Sequence, residues 1–261
     1  MSESSLRHVA TYERTVAASL ERVWENVLDW EHLPSLHSSA FRWIERIGSG
    51  AWGWSARVGL ARGESRIELL IDRAASKYVT RTTEGRGAGS EIWTQLAILD
   101  AEHTGVRVDF WVPELPPERV DALAVRYVAL YTKLWDEDEA MMRRRERMLR
   151  ELRSGRGRES IVELGSAEAL YASLPLRVEF AGRPYRIVRS GDELLVHSTV
   201  CPHMLGPLEE TPVEDGAIRC PWHGYRFALA TGRCEGRAYR LSSPPRLEIE
   251  GGLARLRPAR S

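Results

Sequence analysis

Cysteine is scarce: only three occur in 261 residues, Cys201, Cys220 and Cys234. Three cannot supply the paired framework that staples small secreted domains, so stability has to come from apolar cores. An excess of one charge is also missing, since 37 basic residues face 37 acidic ones. Without a net positive field there is no reason to expect a nucleic-acid partner. No stretch approaches the ~18 uninterrupted apolar residues of a membrane span, and the polar opening MSESSLRH lacks the apolar run of a secretory signal. Neither membrane insertion nor export is expected. A glycine-rich dinucleotide fingerprint, internal repeats and long low-complexity segments are absent as well. The length suits two modest domains, each able to bury a core.

What is present is concentrated in two short arms. Cys201-Pro202-His203 and Cys220-Pro221-Trp222-His223 each open with a thiol and close with an imidazole. Such a set suits a [2Fe-2S] cluster with two thiolates on one iron and two imidazoles on the other, an arrangement that raises the reduction potential. Gly206-Pro207 and Gly224 allow the loops to fold tightly around it. A zinc site from the same four residues is the alternative. Structural zinc spaces its paired ligands by two to four residues, and the single residue between Cys201 and His203 fits that poorly. The segments 201–208 (CPHMLGPL) and 220–227 (CPWHGYRF), with Thr231-Gly232-Arg233-Cys234, resemble the Rieske ferredoxin fold. Respiratory members carry an extra disulfide-forming cysteine in each loop and a serine two residues after the second histidine. Here the loops lack the cysteines and Tyr225 holds the serine's place. The resemblance therefore implies the ferredoxin or oxygenase branch, in a reducing, cytoplasmic compartment.

The first half reads differently. Residues 8–16 alternate as a strand, and Leu20, Val23, Trp24, Val27 and Leu28 have helical spacing, with Pro34 expected to end that helix. Strands are expected at about 41–48, 52–60, 64–72, 77–83, 90–100 and 105–112, joined by hairpins into an antiparallel sheet. Pro116-Pro117 then opens a long helix over about 118–152. This order resembles the START-like (SRPBCC, helix-grip) fold, whose sheet wraps its last helix around a cavity. Eight of the nine tryptophans lie here, and most are expected to fill the core.

A second site is suggested by Asp29, His32 and His37, with Pro34 between the histidines. Two imidazoles and a carboxylate make the facial triad of non-haem Fe(II) oxygenases. The segment is similar to the catalytic domain of Rieske non-haem iron oxygenases, in the pattern Asp-x-x-His-x-x-x-x-His. The resemblance implies that His32 and His37 bind iron and that Asp29 lies on the electron path. It places the third ligand on the final helix, at Asp138, with Asp136 as the second choice. START-like domains without metal carry similar residues at this point, so a metal-free pocket is the alternative. The family also places its Rieske domain first, whereas this chain reverses the order.

Residues 153–160 (RSGRGRES) read as a linker, giving domains at 1–152 and 161–261. The second has short strands, among them 183–188, 193–197 and 246–257, and is expected to be all-β; His197 reads as a strand residue, His8 and His103 as structural or surface residues. The basic run Met142–Arg147 is either a solvated helix end or a docking element for an acidic redox partner. The whole implies an α+β chain acting as an oxygenase component. It would be served by NAD(P)H through a separate ferredoxin or flavin reductase, and would use O2 on a small apolar or aromatic substrate. A homo-oligomer, by family pattern a trimer, is implied. The competing reading is a metal-free ligand-binding domain attached to a Rieske electron-transfer or redox-sensing module.

Overall fold

The computed structural model describes residues 6–153, 155, 157 and 160–259. β1 (Leu6–Val16) leads into α1 (Leu20–Leu28), a 3-10 turn at Trp30–His32 and the short α2 (Leu33–Leu36). Next come β2 (Phe41–Gly50), β3 (Gly53–Leu60), β4 (Glu64–Asp72), β5 (Lys77–Gly85), β6 (Glu91–Ile98) and β7 (Thr104–Pro113). A 3-10 turn at Pro117–Arg119 then opens α3 (Val120–Arg153). The strands make one antiparallel sheet in the order β1-β7-β6-β5-β4-β3-β2, so the first strand pairs with the last. Strand, helix, antiparallel strands and long final helix is the START-like arrangement expected.

The inward face of β7 is set by period-2 alternation: Val106, Val108, Phe110 and Val112 are buried. Phe110 stacks on Tyr127 of α3 at 4.6 Å between ring centroids and meets Tyr131 edge-on at 4.7 Å. Burying such a ring contributes about 1.5–3 kcal/mol. Val16 and Val23 close the same core from β1 and α1, and Trp135 and Met142 do so from α3.

Two expectations need correction. Pro34 does not end the first helix; α1 stops at Leu28, and Pro34 lies in the first turn of α2. A proline is tolerated there because no helical carbonyl awaits its missing N–H. The tryptophans are not mostly core: Trp24, Trp54 and Trp135 are buried, but Trp52 and Trp93 are exposed by 43% and 46%. Trp52 lies in the turn between β2 and β3, and Trp93 alternates along β6 with the buried Thr94 and Leu96, so it faces the other side of the sheet.

The contacts divide the chain into Met1–Glu146 and Arg147–Ser261. Beyond α3 come β8 (Val162–Ser166), α4 (Ala167–Ala172), β9 (Leu176–Phe180), β10 (Arg183–Ser190) and β11 (Glu193–Ser198). β12 (Ala217–Arg219), β13 (Arg226–Ala228), β14 (Arg246–Glu250) and β15 (Leu253–Arg257) complete the second unit. Among the described residues they form three small sheets, β11-β10-β9, β12-β13 and β14-β15-β8; Leu170, Phe180, Ile187 and Leu256 share an apolar core between the first and the last of these. The short α4 departs from the all-β expectation. Ser166 caps it by accepting from the Ala169 N–H at 3.1 Å. Of the linker expected at 153–160, residues 154, 156, 158 and 159 lie outside those described.

Candidate metal centres

Ser19 caps α1 by accepting from the Arg22 backbone N–H, and Asp29 ends the helix with φ −85° and ψ 83°, outside the helical region. That break turns the chain, so His32 at the end of the 3-10 turn and His37 at the end of α2 face one another. Their rings lie edge to face with centroids 5.1 Å apart. On a continuous helix a five-residue separation would have splayed them. From the other side α3 supplies Asp138. One potential donor atom from each of His32, His37 and Asp138 lies within 4.8 Å of the others, and all three residues are buried.

The oxygen Oδ1 of Asp138 is the meeting point. It lies 3.1 Å from His37 Nε2 and 3.4 Å from His32 Nε2, and it accepts a hydrogen bond from Asn26 Nδ2 at 2.9 Å. The outer nitrogens have carboxylates too: His32 Nδ1 is 3.6 Å from Asp29, and His37 Nδ1 is 2.7 Å from Glu137 Oε2. Burial alone would lower the pKa of His32, but its bonds to Asp138 and Asp29 prevail and lift it to about 9. Burial alone would raise the Asp138 carboxyl, yet the two histidines hold it well below the usual carboxylate range. The floor is thus polar and pre-arranged, with both Nε2 atoms converging on one carboxylate.

A cavity of about 130 Å³ opens over this floor, walled by Trp54, Ile67, Leu69, Tyr78 and Tyr131 among others. Trp54 is fixed by donating its Nε1–H to the Val27 carbonyl at 3.1 Å. Burial pushes the Tyr78 and Tyr131 hydroxyls above their ordinary values, so both stay neutral. A larger cavity, about 590 Å³, lies in the second unit beside Pro207 and Pro221, lined by Glu209, Glu210, Arg219 and Arg226. Among the described residues the converging His32, His37 and Asp138 belong to the smaller pocket.

In the second unit, two loops bring the arms together. The Cys201 N–H bonds to the Gly206 carbonyl at 3.0 Å and the Cys220 N–H to the Tyr225 carbonyl at 2.8 Å, closing each loop on itself. The His203 and His223 rings lie 4.3 Å apart, and Cys201 and Cys220 are both buried. A hydrogen bond from the Cys201 thiol favours ionisation of Cys220, which is lowered from the usual thiol value, and opposes that of Cys201. Gly206 is needed for room: a Cβ there would stand 2.7 Å from Cys220 Sγ and 3.2 Å from the Trp222 ring. Gly224, by contrast, has φ +69°, a conformation that favours glycine. Two thiols, two imidazoles and a side-chain-free wall at one place fit a [2Fe-2S] cluster. Tyr225 and Tyr239 flank His203 at 4.8 and 5.0 Å, with the Arg237 guanidinium over Tyr225.

The remaining residues separate clearly. Asp136 points outward and pairs with Arg14 at 2.8 Å, away from the histidines. Glu25 is bound by Arg145 at 2.6 Å and also by Arg22, so it clasps α1 to α3. Arg145 therefore belongs to an internal ion pair and is not part of a solvated run. His197 is a buried strand residue, with Nδ1 2.9 Å from the Ser198 carbonyl; His8 and His103 are surface residues beside Trp111 and Asp100. The sequence reading missed Glu137 as a partner of His37, although it sits next to Asp138. It also missed Tyr78 and Tyr131, which lie in a strand and a helix without any motif of their own.

Residues 160–243 match the family model of the Rieske [2Fe-2S] domain. The matched residues follow the unit built from the seven-stranded sheet and lie within Arg147–Ser261. No curated protein matches the chain. Among solved structures, the ZhuI aromatase/cyclase from Streptomyces sp. R1128 is 19% identical, covering 54% of this chain and 96% of that one at a TM-score of 0.44. Truncated norcoclaurine synthase from Thalictrum flavum is 20% identical, covering 53% and 96% at 0.42. A START superfamily protein from Mycobacterium smegmatis is 19% identical, covering 52% and 99% at 0.44.

Proposed function

We propose that this chain is the oxygenase component of a Rieske non-haem iron system, with domains at 1–152 and 161–261 joined by 153–160. The observation that carries the reading is the buried convergence of His32, His37 and Asp138 at the floor of a cavity, in a chain that also holds a Rieske domain. Two imidazoles and a carboxylate suit Fe(II) and leave positions open for O2. When bound, the cluster supplies single electrons and the iron supplies O2 activation.

The protein's part is placement. Cys201, His203, Cys220 and His223 hold the cluster, and His32, His37 and Asp138 hold the iron. Asn26 donates to Asp138 at 2.9 Å and fixes the carboxylate's rotation. Asp29, beside His32 Nδ1, favours a proton on that nitrogen, leaves Nε2 for the metal and stands on the electron path. Trp54, Ile67 and Leu69 exclude water, and the Tyr78 and Tyr131 hydroxyls offer donors at the wall. A cavity of about 130 Å³ matches a small apolar or aromatic molecule, since one of ~150 Å³ takes benzene. The outcome is hydroxylation or oxidative demethylation. Electrons come from NAD(P)H through a separate ferredoxin or flavin reductase, in the cytoplasm, and the component works as a homo-oligomer.

The test is the iron and acid-labile sulfide content of anaerobically purified protein after Fe(II) addition. About three irons and two sulfides per chain are expected. His32→Ala and His37→Ala should each fall to about two irons with the sulfide unchanged. About two irons in the unsubstituted protein would overturn the reading. It would favour a metal-free binding module, which the mutually paired floor around Asp138 would also suit.

A further inference from the structure

His37 is the better anchored of the two histidines. Its Nδ1 lies 2.7 Å from Glu137 Oε2, whereas the matching distance from His32 Nδ1 to Asp29 is 3.6 Å. Glu137 is the neighbour of Asp138 on α3, so one helical turn reaches both nitrogens of a single ring: Asp138 from the Nε2 side at 3.1 Å, Glu137 from the Nδ1 side. Lys133, one turn earlier on α3, stands 3.9 Å from Glu137 Oε1 and donates to Ser39 Oγ at 2.7 Å. Ser39 is two residues beyond His37. The loop that carries His37 is therefore tied to α3 twice, once through the imidazole and once through the lysine.

We propose that Glu137 is the positioning residue for His37, holding the imidazole by its Nδ1–H so that Nε2 faces the metal. The inference rests on the iron reading above. A carboxylate can only accept, so the shorter contact to Glu137 favours a proton on Nδ1; on the Nε2 side, where Asp138 Oδ1 stands at 3.1 Å without metal, a bound cation would take the place of the proton between them. Removing such an outer partner typically weakens metal binding 10- to 100-fold. The Lys133 ammonium steadies the Glu137 carboxylate; its side chain is 52% exposed, so its own contribution is small.

The test uses the full chain with its cluster oxidised and Co(II) as the probe. The Co(II) dissociation constant and its EPR line shape are measured for the unsubstituted protein and for Glu137→Ala, Glu137→Gln and Lys133→Ala. Glu137→Ala should weaken Co(II) binding by about 10- to 100-fold and alter the EPR signal. Glu137→Gln, which keeps an acceptor, should restore the signal and most of the affinity. Lys133→Ala should change the constant by less than about threefold. Cluster absorbance and the thermal midpoint show that each variant is folded. If Glu137→Ala binds Co(II) as tightly as the unsubstituted protein, with the same EPR signal, this inference falls and the iron reading stands. Failure of the unsubstituted protein to bind Co(II) at all would overturn both.

Discussion

Replacing Gly206 by alanine asks whether the cluster site depends on missing volume. The glycine's φ is not in the left-handed region, so alanine adds no backbone strain. The added methyl would stand 2.7 Å from Cys220 Sγ, where ordinary heavy-atom contacts are ~3.5–4 Å. Cys220 or the loop must therefore give by about 1 Å, a large displacement for a thiolate that would hold the cluster. Trp222 blocks the alternative escape, because its ring atoms are 3.2 Å from the same methyl and the residue is buried. Overpacking of this kind costs about 1–3 kcal/mol, equivalent to roughly a 5- to 150-fold loss in the constant for cluster retention. The assay is visible absorbance and acid-labile sulfide per chain after anaerobic purification, with the reduction potential of whatever cluster remains. Gly216→Ala is the control: its φ is +69° but nothing lies within 4 Å, so it should cost stability while leaving cluster content unchanged. Full cluster content in Gly206→Ala, at an unchanged potential, would refute the steric argument.

Metal-free protein should lose stability as the pH rises. His32 is raised from 6.5 to about 9 in the folded chain, so its contribution is complete below about pH 6.5 and disappears as the pH passes about 9. The size is roughly 3 kcal/mol, read as the fall in the urea midpoint of chelator-treated protein between pH 6.5 and 9.5. His32→Gln should flatten that profile, and an equally steep fall in the variant would disprove the assignment. Phe110→Ala should destabilise the N-terminal unit by about 3–5 kcal/mol, because the ring is wholly buried against Tyr127 and Tyr131. A change below about 1 kcal/mol in its unfolding would mean that the core relaxes around the gap.

Much of this was legible in the residues because it depends on local chemistry. Cys201, His203, Cys220 and His223 announce themselves by type and spacing, and few other structures need a thiol and an imidazole so close in each of two glycine-bearing arms. The alternation of β7 and the Pro116-Pro117 start of α3 are equally local, since strand and helix periods come from the backbone alone. Pro34 misled because a proline's effect depends on its place within a helix, and that place was set by the earlier break at Asp29.

The sequence by itself determined the element order of the first unit and the pairing of thiol and imidazole in the two arms of the second. It favoured Asp138 over Asp136 only by its place in the acidic run, for both are acidic and both lie on one helix. Only the tertiary structure separated them: the rotation of α3 against the sheet turns Asp138 toward His32 and His37 and turns Asp136 out to Arg14. The same packing gave Glu137 to His37 and bound Glu25 to Arg145. The physical reason is range. Spacing along the chain fixes neighbours within a turn or two, but Glu137 and His37 are 100 residues apart and meet only because the sheet closes around α3.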